Sequence, residues 1–168
     1  QLIIENSQSK KKIVTTGMGK AGIIASKMSA TLSSIGIPSF YVHPAESLHG
    51  DLGRISEGEP IIAFSHSGST SELVSMLEAV NVLNNNSNPL ILITNAENPK
   101  IKPKILVRYL MQEESCVVKK VPSTSTTLML ITADMIAITA AETMGLDDSW
   151  FKSRHPGGAI GESYKKNQ

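Results

Sequence analysis

Four short apolar runs, each cut off by a polar or glycine-rich loop, constrain this chain more than any other feature. They are Ile13-Val14-Thr15-Thr16, Ser39-Phe40-Tyr41-Val42, Ile61-Ile62-Ala63-Phe64 and Leu90-Ile91-Leu92-Ile93-Thr94. Each reads as a short buried strand. Helical patterns alternate with them. Ile23, Ile24, Met28, Leu32 and Ile35 share one apolar face that stops at Gly36, and Leu73, Met76, Leu77 and Val80 form another. Further on, Ile105 to Met111 predicts a fifth strand. Asn95 to Lys104, with two prolines, predicts a loop with a stunted helix. Pro122 to Thr127 is expected to cap an apolar helix from Leu128 to Met144. Alternation of this kind predicts an α/β fold, a doubly wound (Rossmann-like or flavodoxin-like) five-stranded parallel sheet flanked by helices. Ligands of such sheets bind beyond the carboxyl ends of the strands. The polar loops after strands one, three and five fall there.

The loop after the third strand is Ser65-His66-Ser67-Gly68-Ser69-Thr70-Ser71-Glu72. A strand that ends in small hydroxyl residues and opens into a helix gathers hydroxyls and backbone N–H groups at one point. The helix dipole favours negative charge at that point. The arrangement suits a phosphate monoester, although serine and threonine in front of a helix also serve as ordinary caps. Glu72 falls in the first helical turn, within reach of the carbon skeleton of a phosphorylated ligand.

Gly17-x-Gly19-x-x-Gly22 matches the dinucleotide-binding pattern, but the acid expected near the end of the second strand is replaced by Val42-His43. Lys20 inside this turn suits a sugar phosphate or an oxyanion equally well. His49 in Leu48-His49-Gly50-Asp51 and His155 in Arg154-His155-Pro156-Gly157-Gly158 are framed by glycines, which suggests positioned side chains able to move protons. His43, His49 and Asp51 do not have a spacing that demands a metal. His66 lies inside the phosphate loop as a further donor. Asp134, inside the apolar helix, is expected to pair across a helix or subunit contact.

The 168 residues, 40% of them hydrophobic, suit one domain with a real core. Aromatics at 4% argue against a base-stacking surface for nucleic acid. Lys10-Lys11-Lys12 and Lys165-Lys166 read as solvated ends rather than a nucleic-acid patch. The single cysteine, Cys116, has no internal disulfide partner, which points to a reducing, cytoplasmic setting. The run from Leu128 to Ala141 is interrupted by Thr132, Asp134 and Thr139. It therefore reads as a buried helix rather than a membrane span. No signal peptide is expected, and the start at Gln1 fits a missing upstream piece.

Taken together, Gly17-Met18-Gly19-Lys20, His43-Pro44-Ala45-Glu46-Ser47-Leu48-His49-Gly50-Asp51-Leu52-Gly53, Ser65-x-Ser67-Gly68-x-Thr70-x-Glu72, Pro122-x-Thr124-Ser125-Thr126-Thr127 and His155-Pro156-Gly157-Gly158-Ala159-Ile160-Gly161 resemble a sugar isomerase (SIS) domain. More narrowly, they resemble the arabinose-5-phosphate isomerases that start the synthesis of 3-deoxy-manno-octulosonate (Kdo). The similarity runs from about Lys12 to Gly161.

The resemblance implies an enzyme that interconverts ribulose 5-phosphate and arabinose 5-phosphate through an enediol, for surface-polysaccharide synthesis, with no cofactor and no metal. It implies Lys20, His49, Glu72, Glu114 and His155 as catalytic positions, with Glu72 or a histidine as the base and Lys20 stabilising enediolate charge. Ser65, His66, Ser67, Thr70, Ser123 and Thr124 would hold the phosphate, and Gly19, Gly50 and Asp51 would contact the sugar. It further implies a dimer or tetramer in which His49 or His155 reaches a neighbouring subunit's site, and a Kdo nucleotide conjugate as a regulator. Residues 1–168 would form a single SIS domain, without the paired CBS module of many relatives and with the N-terminal helices largely missing. Other readings are an isomerase of a different ketose phosphate and a non-catalytic sugar-phosphate sensor. Departures from the family pattern are Ala21 for a common serine, His66 for a frequent asparagine, the basic stretch from Asn98 to Gln112, and Val117-Val118-Lys119-Lys120 in place of a more apolar, glycine-containing loop.

Overall fold

The computed structural model describes residues 2–9 and 11–165. Its elements in chain order are α1 (Leu2–Gln8), β1 (Ile13–Gly17), α2 (Gly19–Ser34), β2 (Ser39–Val42), α3 (Pro44–Ser47), a 3-10 turn (Asp51–Arg54), β3 (Ile61–Phe64), α4 (Ser71–Leu83), β4 (Leu90–Thr94), β5 (Ile105–Arg108), α5 (Thr124–Thr143), α6 (Asp148–Arg154) and α7 (Gly158–Lys165). The five strands form one sheet in the order β2-β1-β3-β4-β5, with every neighbouring pair parallel.

Apolar residues pack on both faces of the sheet. One core joins Ile13, Ile62, Phe64 and Ile93 to Met28 and Leu32 of α2 and to Met129, Ala133 and Ala137 of α5. The other joins Val14, Ile61, Ala63 and Leu92 to Leu73, Met76 and Val80 of α4. Burial on both faces explains why the central strands are continuous apolar runs rather than alternating ones. Strand order reverses at β1, and Gly17 of β1 lies in register with Phe64 of β3. The glycine turn and the serine loop therefore leave the sheet side by side, at the crevice where ligands bind in this architecture.

Gly22 sets the distance between α2 and the sheet. A Cβ there would lie 2.5 Å from the Gly17 carbonyl oxygen and 2.7 Å from the Tyr41 hydroxyl. The Tyr41 hydroxyl donates to the same Gly17 oxygen at 2.8 Å. Close helix–strand packing, rather than room for a pyrophosphate, is enough to explain the third glycine of the pattern.

Several expectations are corrected. The fifth strand ends at Arg108, and its last bond to β4 runs from the Tyr109 amide to the Thr94 carbonyl. The stretch from Asn95 to Lys104 holds no helix. The connection from His43 to Arg54 contains α3 and the 3-10 turn. On α2, Ile23 faces solvent at 64% exposure. The last long helix starts four residues early, at Thr124, and only one of its faces is buried. Ser125, Met129, Ala133, Ala137 and Ala140 point inward, while Ile131, Met135 and Ile138 are exposed.

By length and composition α5 could cross a membrane. Its small inner residues instead pack against α2, and Asp134 midway along it pairs with Lys27 of α2, the helix contact expected of that acid. Lys11 and Lys12 are exposed, whereas Lys10 and Lys166 lie outside the described residues.

Candidate active site

The serine loop is held by its own hydroxyls. Ser65 is buried, its amide donates to the Ile93 carbonyl at 3.1 Å, and its Oγ lies 3.0 Å from the Thr70 hydroxyl. Gly68, at φ +62, donates its amide to Ser65 Oγ at 3.1 Å, and a Cβ at that position would lie 2.4 Å from Pro99. Ser67 Oγ accepts from the Ser69 amide and lies 3.0 Å from the Ser69 hydroxyl. Thr70, the residue before α4, makes no side-chain capping bond. Thr70 thus leaves the first N–H groups of α4 without a cap from its side chain, and the Glu72 N–H meets its own carboxylate, a helix start that attracts anions.

Glu72 occupies that region in the ligand-free chain. Its own backbone N–H, then the Ser71 hydroxyl (2.8 Å), hold its carboxyl below the usual range. Slight desolvation opposes them and the charge of His43 adds to them.

Beside the loop is a cavity of about 440 Å³, lined by Lys20, Ser65, His66, Ser67, Thr70 and Glu114 together with Met18, Ala21, Lys119, Lys120, Pro122, Ser125, Thr126 and Met129. A larger cavity of about 610 Å³ lies between α1 and α5. Its lining is dominated by Ile3, Ile4, Met135 and Ile136, with no basic side chain. Of these two, the smaller cavity combines cations, hydroxyls and a carboxylate at the strand ends, which is the chemistry a polar ligand requires.

Glu114 is fixed by the start of α5. Its Oε2 accepts from the Ser123 amide at 2.8 Å, the Ser125 amide at 3.1 Å and the Ser123 hydroxyl at 3.2 Å. This carboxylate, rather than a hydroxyl, caps α5. Burial pushes its pKa up, but the bonds from Ser125 and Ser123 outweigh burial and hold it at about 2. Because the folded value lies below the ordinary 4.5, the stabilisation is complete above that pH and is lost as pH falls toward about 2. An NMR titration of the Glu114 carboxyl carbon should therefore show a midpoint near 2, with the Ser123 and Ser125 amide shifts moving in parallel. A midpoint in the ordinary carboxylate range would remove the capping role.

Glu72, at the start of α4, and the remaining sequence candidates are not in the lining of this cavity. Ser123 and Thr124 do not line the cavity but tie its loop to Ser115, at 3.1 Å and 2.6 Å respectively. Gly19 lies with Tyr41 and His43 in a shallow depression of about 250 Å³. His49 is exposed, Gly50 beside it has φ +129, and Asp51 pairs with Arg54 at 3.1 Å. His155 is stacked on Phe151 at 3.8 Å between ring centroids, with Nδ1 2.9 Å from the Phe151 carbonyl oxygen. Its helix is anchored where Trp150 Nε1 donates to Ile35 at the far end of α2. That helix has 16 residues, so its two ends are about 24 Å apart.

Sequence reasoning did not select Tyr109, Lys119, Lys120, Ser125 or Thr126. The two lysines had been visible only as a departure from the family loop. Lys119 stands at φ +50, a conformation that favours glycine, and pairs with Glu113 at 2.7 Å. Lys20 and Lys120 have no ion-pair partner among the described residues.

The family model for the SIS domain matches residues 7–140. Arabinose 5-phosphate isomerase KdsD of Pseudomonas aeruginosa is 40% identical over 154 residues, 90% of this chain and 46% of that protein. KdsD of Francisella tularensis is 36% identical over 165 residues, 96% of this chain and 49% of that protein. The chain thus spans about half the length of the curated relatives it matches. Among solved structures, a Bacteroides fragilis protein involved in capsule formation superposes with a TM-score of 0.90 at 34% identity, covering 94% of this chain and 83% of the other. An Escherichia coli CFT073 protein in complex with arabinose 5-phosphate superposes with a TM-score of 0.82 at 35% identity, covering 91% and 81%.

Proposed function

This chain belongs to the SIS-domain family, and from that premise we propose that it interconverts D-ribulose 5-phosphate and D-arabinose 5-phosphate, in the synthesis of Kdo for surface polysaccharide. The observation that carries the reading is the convergence of Lys20, the serine loop and Glu114 on one cavity at the switch point of the sheet, beside the uncapped start of α4. Relatives named arabinose 5-phosphate isomerase, and a structural neighbour holding arabinose 5-phosphate, support the choice of sugar.

In this scheme the phosphate rests on the N–H groups that open α4 and on the Ser67 and Thr70 hydroxyls, while Ser65 keeps the loop in shape. The sugar then extends toward Lys20 and Glu72. A base removes the C2 proton of the aldose, or a C1 proton of the ketose, and returns it to the neighbouring carbon. The ammonium of Lys20 stabilises the enediolate formed between the two transfers. Glu114, held ionised by three donors, fixes the loop that carries Lys119 and Lys120. It is a poor proton acceptor at neutral pH.

His155 lies near the far end of α2 from the serine loop of its own chain, so its part in catalysis is assigned to a neighbouring subunit of a dimer or tetramer. His49, on an exposed turn, is assigned in the same way.

The test is conversion of ribulose 5-phosphate in deuterium oxide followed by NMR. Arabinose 5-phosphate labelled at C2 is expected. A protein that binds the sugar phosphate but yields neither product nor exchanged hydrogen would be a sensor, and the isomerase reading would fall. Faster turnover of a hexulose or heptulose phosphate would retain the chemistry and overturn the sugar.

A further inference from the structure

We propose that Tyr109 is a positioning residue that fixes the tautomer of His66, so that this ring offers a donor to an anionic oxygen held in the serine loop. His66 stands at the start of that loop and is one of the residues that line the cavity. Its backbone carbonyl is gripped from β4, accepting the Thr94 hydroxyl at 3.0 Å and the Asn95 amide at 3.2 Å. Tyr109 follows the last residue of β5, is only 5% exposed, and gives its amide to the Thr94 carbonyl at 3.1 Å. The ends of β3, β4 and β5 are thus stitched together beneath the cavity. Across that seam the Tyr109 hydroxyl lies 2.9 Å from His66 Nδ1, with the ring centroids 6.1 Å apart.

The direction of this hydrogen bond follows from the inventory of groups. Burial first, and the charge of Glu114 second, push the Tyr109 pKa up, so the phenol keeps its proton. Among the described residues His66 Nδ1 is the one hydrogen-bond partner of that hydroxyl. If Nδ1 carried a hydrogen, it would donate to the phenol oxygen, and the O–H of a side chain that is only 5% exposed would be left without a protein acceptor, an unfavourable arrangement. The phenol therefore donates to Nδ1, and the neutral ring carries its hydrogen on Nε2. Nε2 is then the polar atom the ring has left for the cavity, and it bears a donor. The other tautomer would present a lone pair to the ligand and repel an anionic oxygen.

The functional half of this inference rests on the proposed phosphate site. The tautomer itself is a property of the ligand-free protein and holds or fails separately. Long-range 1H–15N spectra in mildly alkaline buffer should show His66 with Nε2 protonated in the wild type, and with the two nitrogens averaged in Tyr109→Phe. Finding Nδ1 protonated in the wild type, or an unchanged pattern in Tyr109→Phe, would overturn the proposal.

Inorganic phosphate serves as the binding probe. Its Kd should rise about three- to tenfold in Tyr109→Phe, the loss of one well-aimed hydrogen bond. In a His66→Asn background, where an amide donor has no tautomer to fix, adding Tyr109→Phe should leave that Kd unchanged. An equal loss in both backgrounds would mean that Tyr109 acts only through packing, and the proposal would fall. Failure of the isomerase reading would appear instead as absent turnover with these results intact.

Discussion

Glu72→Gln is expected to lower kcat on ribulose 5-phosphate by about two to four orders of magnitude, with little change in KM. Glutamine keeps the shape of the side chain and its contact with Ser71 but accepts no proton. The size of the loss follows from how substrate alters this carboxylate. In the ligand-free chain Glu72 folds back on its own N–H at the start of α4, and its pKa is held down. A phosphate seated there takes over the helix donors and places a dianion beside the carboxylate. Both changes raise its proton affinity toward the range a general base needs. On this proposal, substrate binding would arm Glu72 for the proton transfer. NMR conversion assays of wild type and variant measure the ratio, and a ratio below about ten would discard Glu72 as the base. Mixing Glu72→Gln subunits with His155→Ala subunits, each inactive alone, should restore activity if neighbours share the site. No recovery on mixing would return His155 to a structural role.

Phe64→Ala should cost about 3–5 kcal/mol of stability. Phe64 is fully buried and is among the largest side chains in the core. It is the last residue of β3, paired with Gly17 on one side and Ile93 on the other. Truncation opens a cavity at the centre of the sheet, directly beneath the first residue of the serine loop. Urea unfolding measures the loss. Ile131→Ala, on the exposed face of α5 at 50% exposure, is the control and should stay within about 0.5 kcal/mol. If the two variants lose stability equally, the core has been placed on the wrong residues.

Where burial was complete, the chain announced its fold locally. β2, β3 and β4 begin and end where their runs begin and end, and in the central β3 and β4 burial on both faces keeps nearly every side chain apolar. Leu73, Met76, Leu77 and Val80 of α4 are all buried, as their spacing required. Legibility falls off toward the edge of the sheet. β5 is shorter than its apolar run because β4, its neighbour in the sheet, ends at Thr94 in register with Arg108, a pairing that no local pattern encodes. α5 starts early because Glu114, nine residues before Ser123, supplies its cap. The glycines and hydroxyls of the site could be read because backbone geometry demands them in place. Tyr109 could not, because its role depends on a partner 43 residues away.

β5 also explains the basic stretch that fits the family pattern poorly. It is one of the sheet's two edge strands, with Ile105 and Leu106 each about 40% exposed. Lys100, Lys102 and Lys104 precede it, and Arg108 closes it. Cations around an open edge act as gatekeepers, because a second copy laid alongside would bring like charges together. The same lysines that blur the family signature would thus disfavour edge-to-edge association of crowded copies.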